Sequence, residues 1–251
     1  MTTQYDDPLY RDPELAQNEW RADFDMYLTR AATAGRILDL GCGTGTLMAA
    51  IAEKYPDKIL TGADPAAAML AIAQKKTGRV SWLQASAETL DAGMTYDLII
   101  LSGHAFQVFL TREQRIAALQ NMQRHLSPDG IVLFDSRNPA AEEWWEWIPA
   151  LSREVQRSDK FGDVISWNDV SEHNGIVRYQ TFYQIGENGP VYRAESDIAF
   201  PSAAEITEAV TFSGLMVRHI YGDHQSGPFR PDSREMVFEL SHPQCSQACA
   251  A

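Results

Sequence analysis

Residues 36–46 read RILDLGCGTGT, an apolar segment followed by glycines at alternate positions. The apolar segment predicts a buried strand, and Gly41, Gly43 and Gly45 predict a tight loop directly after it. Glycine lacks a Cβ, so such a loop tolerates positive φ angles and lets a ligand approach the backbone. In an open parallel sheet, ligands bind beyond the carboxyl ends of the strands, at the topological switch point. The stretch therefore predicts a ligand site at the end of the first strand of an α/β sheet.

Short apolar runs and helical stretches alternate from this segment onward. The predicted strands are residues 36–40, 58–64, 80–84, 96–101 and 130–135, and the predicted helices are residues 44–55, 65–76 and 111–126. Thr111 is a candidate N-cap of the third helix, and the sequence SPDG at 127–130 predicts a turn after it. Strict alternation of strand and helix implies right-handed crossovers and a parallel sheet covered on both faces.

The pattern changes after residue 136. Residues 140–150 read AAEEWWEWIPA, and from about residue 163 the apolar residues recur with a period of two. The pairs Asn174-Gly175 and Asn188-Gly189 are strong hairpin signals, so we expect a three-stranded antiparallel meander here. A helix over residues 202–214 and strands over 215–223 and 234–240 follow. The predicted fold is α/β, a Rossmann-like doubly wound, mostly parallel seven-stranded sheet with an antiparallel β insertion over the active site.

Composition and charge exclude several classes of partner. The 251 residues carry a formal net charge of −13, which repels phosphate backbones and anionic lipid surfaces. We therefore expect no nucleic acid and no membrane among the partners. The N-terminus MTTQYDDPLYRDPE has no apolar signal segment, so we expect a cytoplasmic protein. The three cysteines, Cys42, Cys245 and Cys249, form no plausible disulfide framework, and the tail pair lacks histidines at zinc-ligand spacing.

The loop itself discriminates between cofactors. A dinucleotide-binding loop of the form G-x-G-x-x-G or A requires a small residue at position 46, where this chain has Thr46. No Walker lysine follows, which disfavours a nucleoside triphosphate. Asp64 ends the second predicted strand, roughly 20 residues after the loop, where a carboxylate accepts hydrogen bonds from ribose hydroxyls. We therefore expect a ribose-containing cofactor.

The ordered motifs resemble those of a known family. LDLGCGTG (38–45), GADPAAAML (62–70), YDLIILSGHAFQVFL (96–110) and HLSPDGIVLFD (125–135) resemble, in matching order, the class I S-adenosylmethionine-dependent methyltransferases. IYGDHQSGPFRPDS (220–233) resembles one small-molecule branch of that family. The resemblance implies an enzyme that transfers a methyl group from S-adenosylmethionine to a small-molecule acceptor by in-line displacement, leaving S-adenosylhomocysteine.

The resemblance also implies roles for single residues. Asp39 would lie near the methionine amino group, Asp64 would hold the ribose, and Met69 would pack on the adenine. Ser86 stands where many relatives place an adenine-binding aspartate, and a hydroxyl also accepts that bond. The full set of implied cofactor contacts is Tyr10, Asp39, Gly41, Cys42, Gly43, Gly45, Asp64, Pro65, Met69, Ser86, Ala87, Ser102 and His104. The structural alternatives are a loop-satisfied carboxylate for Asp39, a helix N-cap for Asp64 and a core side chain for Met69.

The sequence gives weaker signals for the residues that bind the acceptor. His104 follows the fourth strand, and histidine suits a general base, although it could equally hydrogen-bond into its loop or contact only the cofactor. Tyr10 and Tyr27 are candidate aromatics of an N-terminal lid. The candidate substrate residues are Arg137, Asn138, Trp144 and Trp145. The tryptophans and the meander either roof the acceptor pocket, cover a sheet edge or form a dimer contact. We expect no metal.

The predicted organisation has five parts. These are an N-terminal helical lid (1–35), a cofactor-binding core (36–140), a Trp-rich loop with the antiparallel insertion (141–200), a closing helix and strand pair (201–242) and a disordered tail (243–251). Two other functions stay open, a regulatory protein that binds S-adenosylmethionine without catalysis and an NAD-dependent oxidoreductase, which Thr46 disfavours. The sequence leaves open the acceptor, the methylated atom and whether the protein is a monomer or a homodimer.

Overall fold

A seven-stranded sheet forms the centre of the computed structural model, which describes residues 21–158 and 160–243. In chain order its strands are β1 (Arg36–Leu40), β2 (Ile59–Asp64), β3 (Ser81–Gln84), β4 (Tyr96–Leu101), β5 (Leu126–Arg137), β10 (Met216–Tyr221) and β11 (Glu235–Ser241). Their spatial order is β10-β11-β5-β4-β1-β2-β3. Strands β1 to β5 are parallel, and β11 pairs antiparallel with both β5 and β10. The predicted doubly wound, mostly parallel seven-stranded sheet is confirmed.

Helices cover both faces of this sheet. They are α1 (Phe24–Ala31), α2 (Thr46–Lys54), α3 (Ala67–Lys76), α4 (Arg112–His125) and α6 (Ala203–Phe212), while the short helix α5 (Pro149–Ser152) packs against the inserted sheet. Strand β1 shows why two layers form, because Ile37 packs into the cluster with α1 and α2 while Leu38 packs into the cluster with α4 and α6. Successive side chains of a strand point to opposite faces, so a strand that is apolar throughout needs cover on both sides.

The chain leaves the fourth helix differently from the prediction. Helix α4 has the predicted N-cap Thr111, whose hydroxyl accepts from the Gln114 backbone N–H in a capping box. It ends at His125, and β5 begins at once with Leu126. Tyr96 pairs with Leu126 but Leu98 pairs with Ile131, so the SPDG residues 127–130 form an irregularity within β5. The residues of the predicted turn therefore belong to β5, where they interrupt its pairing with β4.

The insertion is a sheet of four strands, and the prediction of three was wrong. It consists of β6 (Glu154–Ser158), β7 (Gly162–His173), β8 (Ile176–Ile185) and β9 (Val191–Ala199), all antiparallel. Asn174 and Gly175 both have positive φ, as the predicted two-residue hairpin turn requires. The second Asn-Gly pair lies inside a longer connection, residues 186–190, between β8 and β9.

Parts of the predictions fall on residues outside the described ranges. These are Tyr10, Cys245, Cys249, the first 20 residues of the proposed lid and residues 244–251 of the proposed tail. Within residues 21–158 and 160–243, no helix has the length and apolar character needed to cross a membrane.

Candidate active site

The order of the strands in the sheet reverses between β1 and β4, and a cavity of about 420 Å³ opens at the carboxyl ends of these strands. In an open α/β sheet this switch point is where ligands bind. The structure brings the following predicted residues to the cavity wall: Asp39, Gly41, Cys42, Gly43, Asp64, Pro65, Met69, Ser86, Ala87, Ser102, His104 and Arg137.

The glycine loop forms the floor of this cavity. The backbone N–H groups of Gly41 and Cys42 donate to the Ala63 carbonyl at 2.7 and 3.1 Å, which ties the loop to the end of β2. Gly43 has a φ of 54°, and nothing in the described part of the chain lies within 4 Å of the position that a Cβ would occupy. Its backbone therefore faces open space and can be approached closely.

Gly45 has a different reason to be glycine. A Cβ at this position would lie 2.5 Å from the Trp82 ring, and φ is 73°. Among the described residues it is absent from the cavity wall. The glycine lets the start of α2 pack against Trp82, and the expected contact of Gly45 with the cofactor stays a prediction.

The carboxylate of Asp64 is held by backbone amides. Its Oδ2 accepts from the Gly43 N–H at 2.9 Å and its Oδ1 accepts from the Ala66 N–H at 2.8 Å. An ionised carboxylate offers about four acceptor positions, so these bonds leave capacity for further donors. The side chain is thus fixed in direction while still able to accept from a ligand.

Asp39 has the opposite environment. It is 2% exposed, and its Oδ1 has no hydrogen-bond partner among the residues that the structure describes. Burial, together with the charge of Asp64, raises the pKa of Asp39 to about 8, although Arg21 opposes the shift. An unpaired buried carboxyl group is unfavourable, so this end of the cavity is suited to a ligand cation.

Three smaller features line the side of the cavity near β2 and β3. Met69 is buried and packs with Ala66 and with Ala194 of β9. The Ser86 hydroxyl lies 3.0 Å from the Thr89 hydroxyl, and hydroxyls can accept as well as donate. The Cys42 thiol is buried, and burial raises its pKa far above the usual range, so the thiol is unreactive.

His104 also lines the cavity, in the segment that follows β4. Its backbone is left-handed, with a φ of 60°, and its N–H donates to Asp135 Oδ1 at 3.1 Å. The ring Nε2 lies 3.0 and 2.9 Å from the two carboxylate oxygens of Glu235. The ring Nδ1 has no hydrogen-bond partner in residues 21–158 and 160–243 and is not sealed inside the protein. It can therefore accept a proton from a molecule in the cavity.

A buried carboxylate lies behind His104. Asp135 is fully buried, and its Oδ2 is 3.5 Å from His104 Nε2 and 3.4 Å from His224 Nε2. Burial alone would raise the pKa of Asp135, but the two imidazoles outweigh it and hold the pKa well below its usual range. Burial lowers the pKa of His224, but the effect of Asp135 is larger, so the pKa is raised. Asp135 is therefore an anion that two histidines surround.

Several predicted residues lie elsewhere. Tyr27 is fully buried in α1, with its ring 6.2 Å from the His224 ring, and its expected role in a lid stays a prediction. Asn138 donates to the carbonyls of Pro231 and Ser233 at 3.0 and 2.7 Å and is absent from the cavity wall of the described residues. It ties the end of β5 to the segment before β11, and its expected role in orienting an acceptor stays a prediction.

The tryptophans form an aromatic cluster beside the cavity. Trp144 packs edge-on against Phe200 at 4.4 Å between ring centroids, and Trp145 is 53% exposed. Neither is in the cavity wall of the described residues, and their expected contact with an acceptor stays a prediction. Arg137 connects the two regions, because it lines the cavity while its guanidinium lies 4.8 Å from the Trp147 ring.

Sequence reasoning missed part of the site. The cavity wall also includes Arg21, Phe24, Val108, Phe109 and Ile198. The groups around His104, which are Asp135, His224 and Glu235, were missed as well. A signal existed for Glu235: it begins a strand predicted to close the sheet, and an antiparallel strand beside β5 starts where β5 ends. The separation of 131 residues from His104 hid the pairing.

Comparison with known proteins agrees with this geometry. Residues 37–130 match a family model described as a methyltransferase domain. The chain is 26% identical over 206 residues to a cypemycin N-terminal methyltransferase from Streptomyces sp, covering 81% of this chain and 82% of that protein. It is 24% identical to a dTDP-3-amino-3,4,6-trideoxy-alpha-D-glucopyranose N,N-dimethyltransferase from Streptomyces venezuelae, covering 79% and 82%. The fold resembles that of S-adenosylmethionine-bound CalS10, an amino pentose methyltransferase from Micromonospora echinaspora, with a TM-score of 0.70 at 20% identity, covering 90% and 93%.

Proposed function

We propose that this chain, which is a class I S-adenosylmethionine-dependent methyltransferase, methylates an amine on a small molecule and uses His104 to remove the amine's proton. The observation that carries the proposal is one cavity lined by both Asp39 and His104, whose Nδ1 has no partner among the described residues.

The cavity fits the cofactor at its charged end. Asp39 Oδ1 is a buried acceptor without a partner in the described residues, and the methionine portion of S-adenosylmethionine carries an ammonium group. We assign Asp39 to that ammonium group, directly or through water. Arg21, which is ion-paired with Asp23, also lines the cavity and offers a cation for the cofactor's carboxylate.

The remaining proposed cofactor contacts come from the glycine loop, the end of β2 and the segments after β2 and β3. Asp64 would accept from the ribose hydroxyls, because amides already fix its direction. Gly43 leaves room for the cofactor above the loop. Met69 and Ser86 would meet the adenine, the first by packing and the second by a hydrogen bond. When bound, S-adenosylmethionine supplies a methyl group on a positively charged sulfur, which departs as a neutral thioether when the acceptor's lone pair takes the methyl carbon.

The acceptor side favours an amine. Glu235 and Asp135 are carboxylates beside His104, and they attract a protonated amine toward the ring Nδ1. His104 would then take the proton and free the nitrogen lone pair. The two relatives matched over most of their length are named for transfer to an N-terminus and to an amino sugar, which supports the same class. Arg137, neutralised by Glu143 at 3.3 Å, suits a polar oxygen of the acceptor.

The first test is calorimetric titration with S-adenosylmethionine, S-adenosylhomocysteine and NAD. We expect micromolar binding of both sulfur ligands, none of NAD, and a loss of at least about tenfold in Asp64→Asn because the ribose contact loses its charge. Asp57→Asn, at an exposed site, is the matched control and should bind normally. Binding of NAD in place of the sulfur ligands would contradict the assignment.

The second test measures transfer of a labelled methyl group to paired acceptors. Each pair differs only in the reacting group, for example 3-amino-3-deoxyglucose against glucose and alanine amide against lactamide. We expect transfer to at least one amine and none to its hydroxyl partner. Transfer to the hydroxyl compounds alone would show that the acceptor class is wrong.

A further inference from the structure

The start of β11 places a carboxylate directly on the ring of His104. Glu235 pairs with Arg137 across the β5–β11 ladder, so its side chain reaches the carboxyl end of β4 and β5. Both of its oxygens lie within 3.0 Å of His104 Nε2. This contact joins two elements that are far apart in the chain, and it is the shortest that the ring makes with a described acidic group.

The contact determines which ring nitrogen carries the proton. An ionised carboxylate has no hydrogen to donate, so a neutral His104 must donate from Nε2. The lone pair then lies on Nδ1, the nitrogen that is accessible and has no partner in the described ranges. The tautomer needed by a base that faces the cavity is thus the one that Glu235 stabilises.

Other charged groups face the same ring. Asp135 Oδ2 lies 3.5 Å from Nε2, and its Oδ1 holds the backbone N–H of His104 in the left-handed conformation. His224 Nε2 lies 3.4 Å from the same Asp135 oxygen, and the Arg21 guanidinium lies against Gly103, the residue before His104. Two carboxylates therefore compensate the charge that His104 gains when it takes a proton, and Arg21 opposes them.

We propose that Glu235 is the positioning residue of the proposed base: it fixes the Nε2–H tautomer of His104, so that Nδ1 faces the acceptor. The inference rests on the proposed function. During transfer the acceptor's N–H proton passes to Nδ1 and the nitrogen lone pair forms the new bond to the methyl carbon. The carbon–sulfur bond breaks with both electrons remaining on sulfur. The proton on Nδ1 then returns to solvent, and Glu235 keeps its Nε2–H bond throughout.

The test reads the tautomer directly and needs no acceptor. The full chain is labelled with ¹⁵N-histidine and studied by long-range ¹H–¹⁵N correlation, with and without S-adenosylhomocysteine, and His104→Asn identifies the signals. We expect the wild type to show the Nε2–H tautomer in both states. An Nδ1–H tautomer in the wild-type protein would overturn the inference, and this measurement depends on no variant folding.

Variants then separate positioning from a structural role. The amide of Glu235→Gln can accept from Nε2–H or donate to Nε2, so we expect both tautomers and a kcat about 10- to 100-fold lower. The Kd for S-adenosylhomocysteine and the acceptor KM should change less than about twofold, since neither contact is altered. Glu235→Asp should recover part of the kcat. Glu208→Gln, the same change in a surface ion pair with Arg112, is the matched control and should leave every value unchanged.

The outcomes distinguish the two proposals. Absence of cofactor binding or of methyl transfer would remove the proposed function while leaving the tautomer result intact. Unchanged kcat and an unchanged tautomer in Glu235→Gln would remove the inference alone. His104, Asp135 and Glu235 also offer ligand atoms within 4.8 Å of one another. A shift of the His104 nitrogens with equimolar Zn²⁺, accompanied by zinc-dependent kcat, would make the cluster a metal site and overturn the positioning role.

Discussion

Asp39 and Asp64 lie at the ends of neighbouring strands, yet their carboxylates have different hydrogen-bond partners. Asp64 receives a backbone N–H on each oxygen. Asp39 is buried with one oxygen lacking a partner in the described part of the chain, and its pKa is raised to about 8. A carboxylate satisfied by amides stays ionised, whereas an unsatisfied one tends to hold its proton. The charge of Asp39 therefore depends on pH near neutrality and on a bound cation.

The pH dependence of cofactor binding follows from Asp39. A ligand ammonium group needs the ionised carboxylate, and below its pKa of about 8 most Asp39 side chains in the free protein are protonated. We expect the Kd for S-adenosylhomocysteine to weaken about tenfold per pH unit between pH 8 and pH 6, and to level off above pH 8. Calorimetry across this range, in buffers of different ionisation enthalpy, should also detect proton release on binding. A flat Kd would show that Asp39 is already ionised or is not used.

The raised pKa of Asp39 also makes the stability of the folded protein depend on pH. Because the folded state raises the pKa of Asp39 above the ordinary 3.8, its contribution to stability is present below that value and is lost as pH rises to about 8. Asp39→Asn removes this loss, so we expect the ligand-free variant to melt about 3–6 °C higher than wild type at pH 8, with a smaller gain at pH 6. The measurement is thermal unfolding without ligand.

The control for this prediction is Asp57→Asn, which is exposed and should leave the melting temperature unchanged at both values of pH. Asp39→Asn should at the same time lose S-adenosylhomocysteine binding, since the carboxylate is removed. A variant that is less stable than wild type at pH 8 would contradict the account.

Among the residues of the site, the sequence predicted those whose positions follow from neighbouring residues in the chain. Asp39, Gly43 and Asp64 lie in short motifs whose chemistry can be read directly, because the loop and the strand ends follow from neighbouring residues. Glu235 and His224 come to the site only through the strand order and the loop between β10 and β11. Such contacts depend on tertiary pairing, so residue spacing along the chain does not indicate them.

At the scale of the element, the loop between β1 and α2 combines two tasks. Gly43 faces open space, whereas Gly45 lies beneath the Trp82 ring. Both have positive φ, so a side chain at either position carries backbone strain. Only at Gly45 would a Cβ also collide with a packed ring.

This difference predicts opposite phenotypes for two matched substitutions. Gly45→Ala should lower stability by about 3 kcal/mol or more, because strain and overpacking add. Gly43→Ala should cost only about 1–2 kcal/mol of strain but weaken S-adenosylhomocysteine binding by at least about tenfold, since the methyl group enters the cavity. Chemical unfolding and calorimetry on both variants measure the two effects. Equal losses of stability would argue against the separation of roles.

The elements that prediction missed share a physical cause. Strand β6 reads EVQRS and is almost entirely exposed, because it is the outer strand of the second sheet. An edge strand without a buried face has no apolar alternation to identify it, and only its pairing with β7 makes it a strand. The strands β1, β2, β4 and β5 carry buried apolar runs, which is why their order in the sequence predicted most of the main sheet.

At the scale of the molecule, Gln107 links the second sheet to the wall of the cavity. Gln107 is fully buried, and its Nε2 donates to the Ala199 carbonyl at the end of β9 at 2.9 Å. Its Oε1 accepts from Arg137 at 3.0 Å. One side chain thus links the segment after β4, the second sheet and an arginine of the cavity wall. Loosening this link should affect the acceptor side more than the cofactor side, where Asp39 and Asp64 rest on β1 and β2.

Gln107→Leu tests this division of the molecule. The substitution keeps the volume but leaves Arg137 and the Ala199 carbonyl without their partner, so we expect a loss of about 2 kcal/mol in the free energy of unfolding. Hydrogen exchange should quicken around residues 196–200 and stay unchanged in β1 and β2, and the acceptor KM should rise several-fold. The Kd for S-adenosylhomocysteine should stay within about twofold of wild type, because its proposed contacts lie elsewhere. Gln120→Leu on the exposed face of α4 is the matched control. Equal weakening of cofactor and acceptor binding would mean that the second sheet supports the whole cavity.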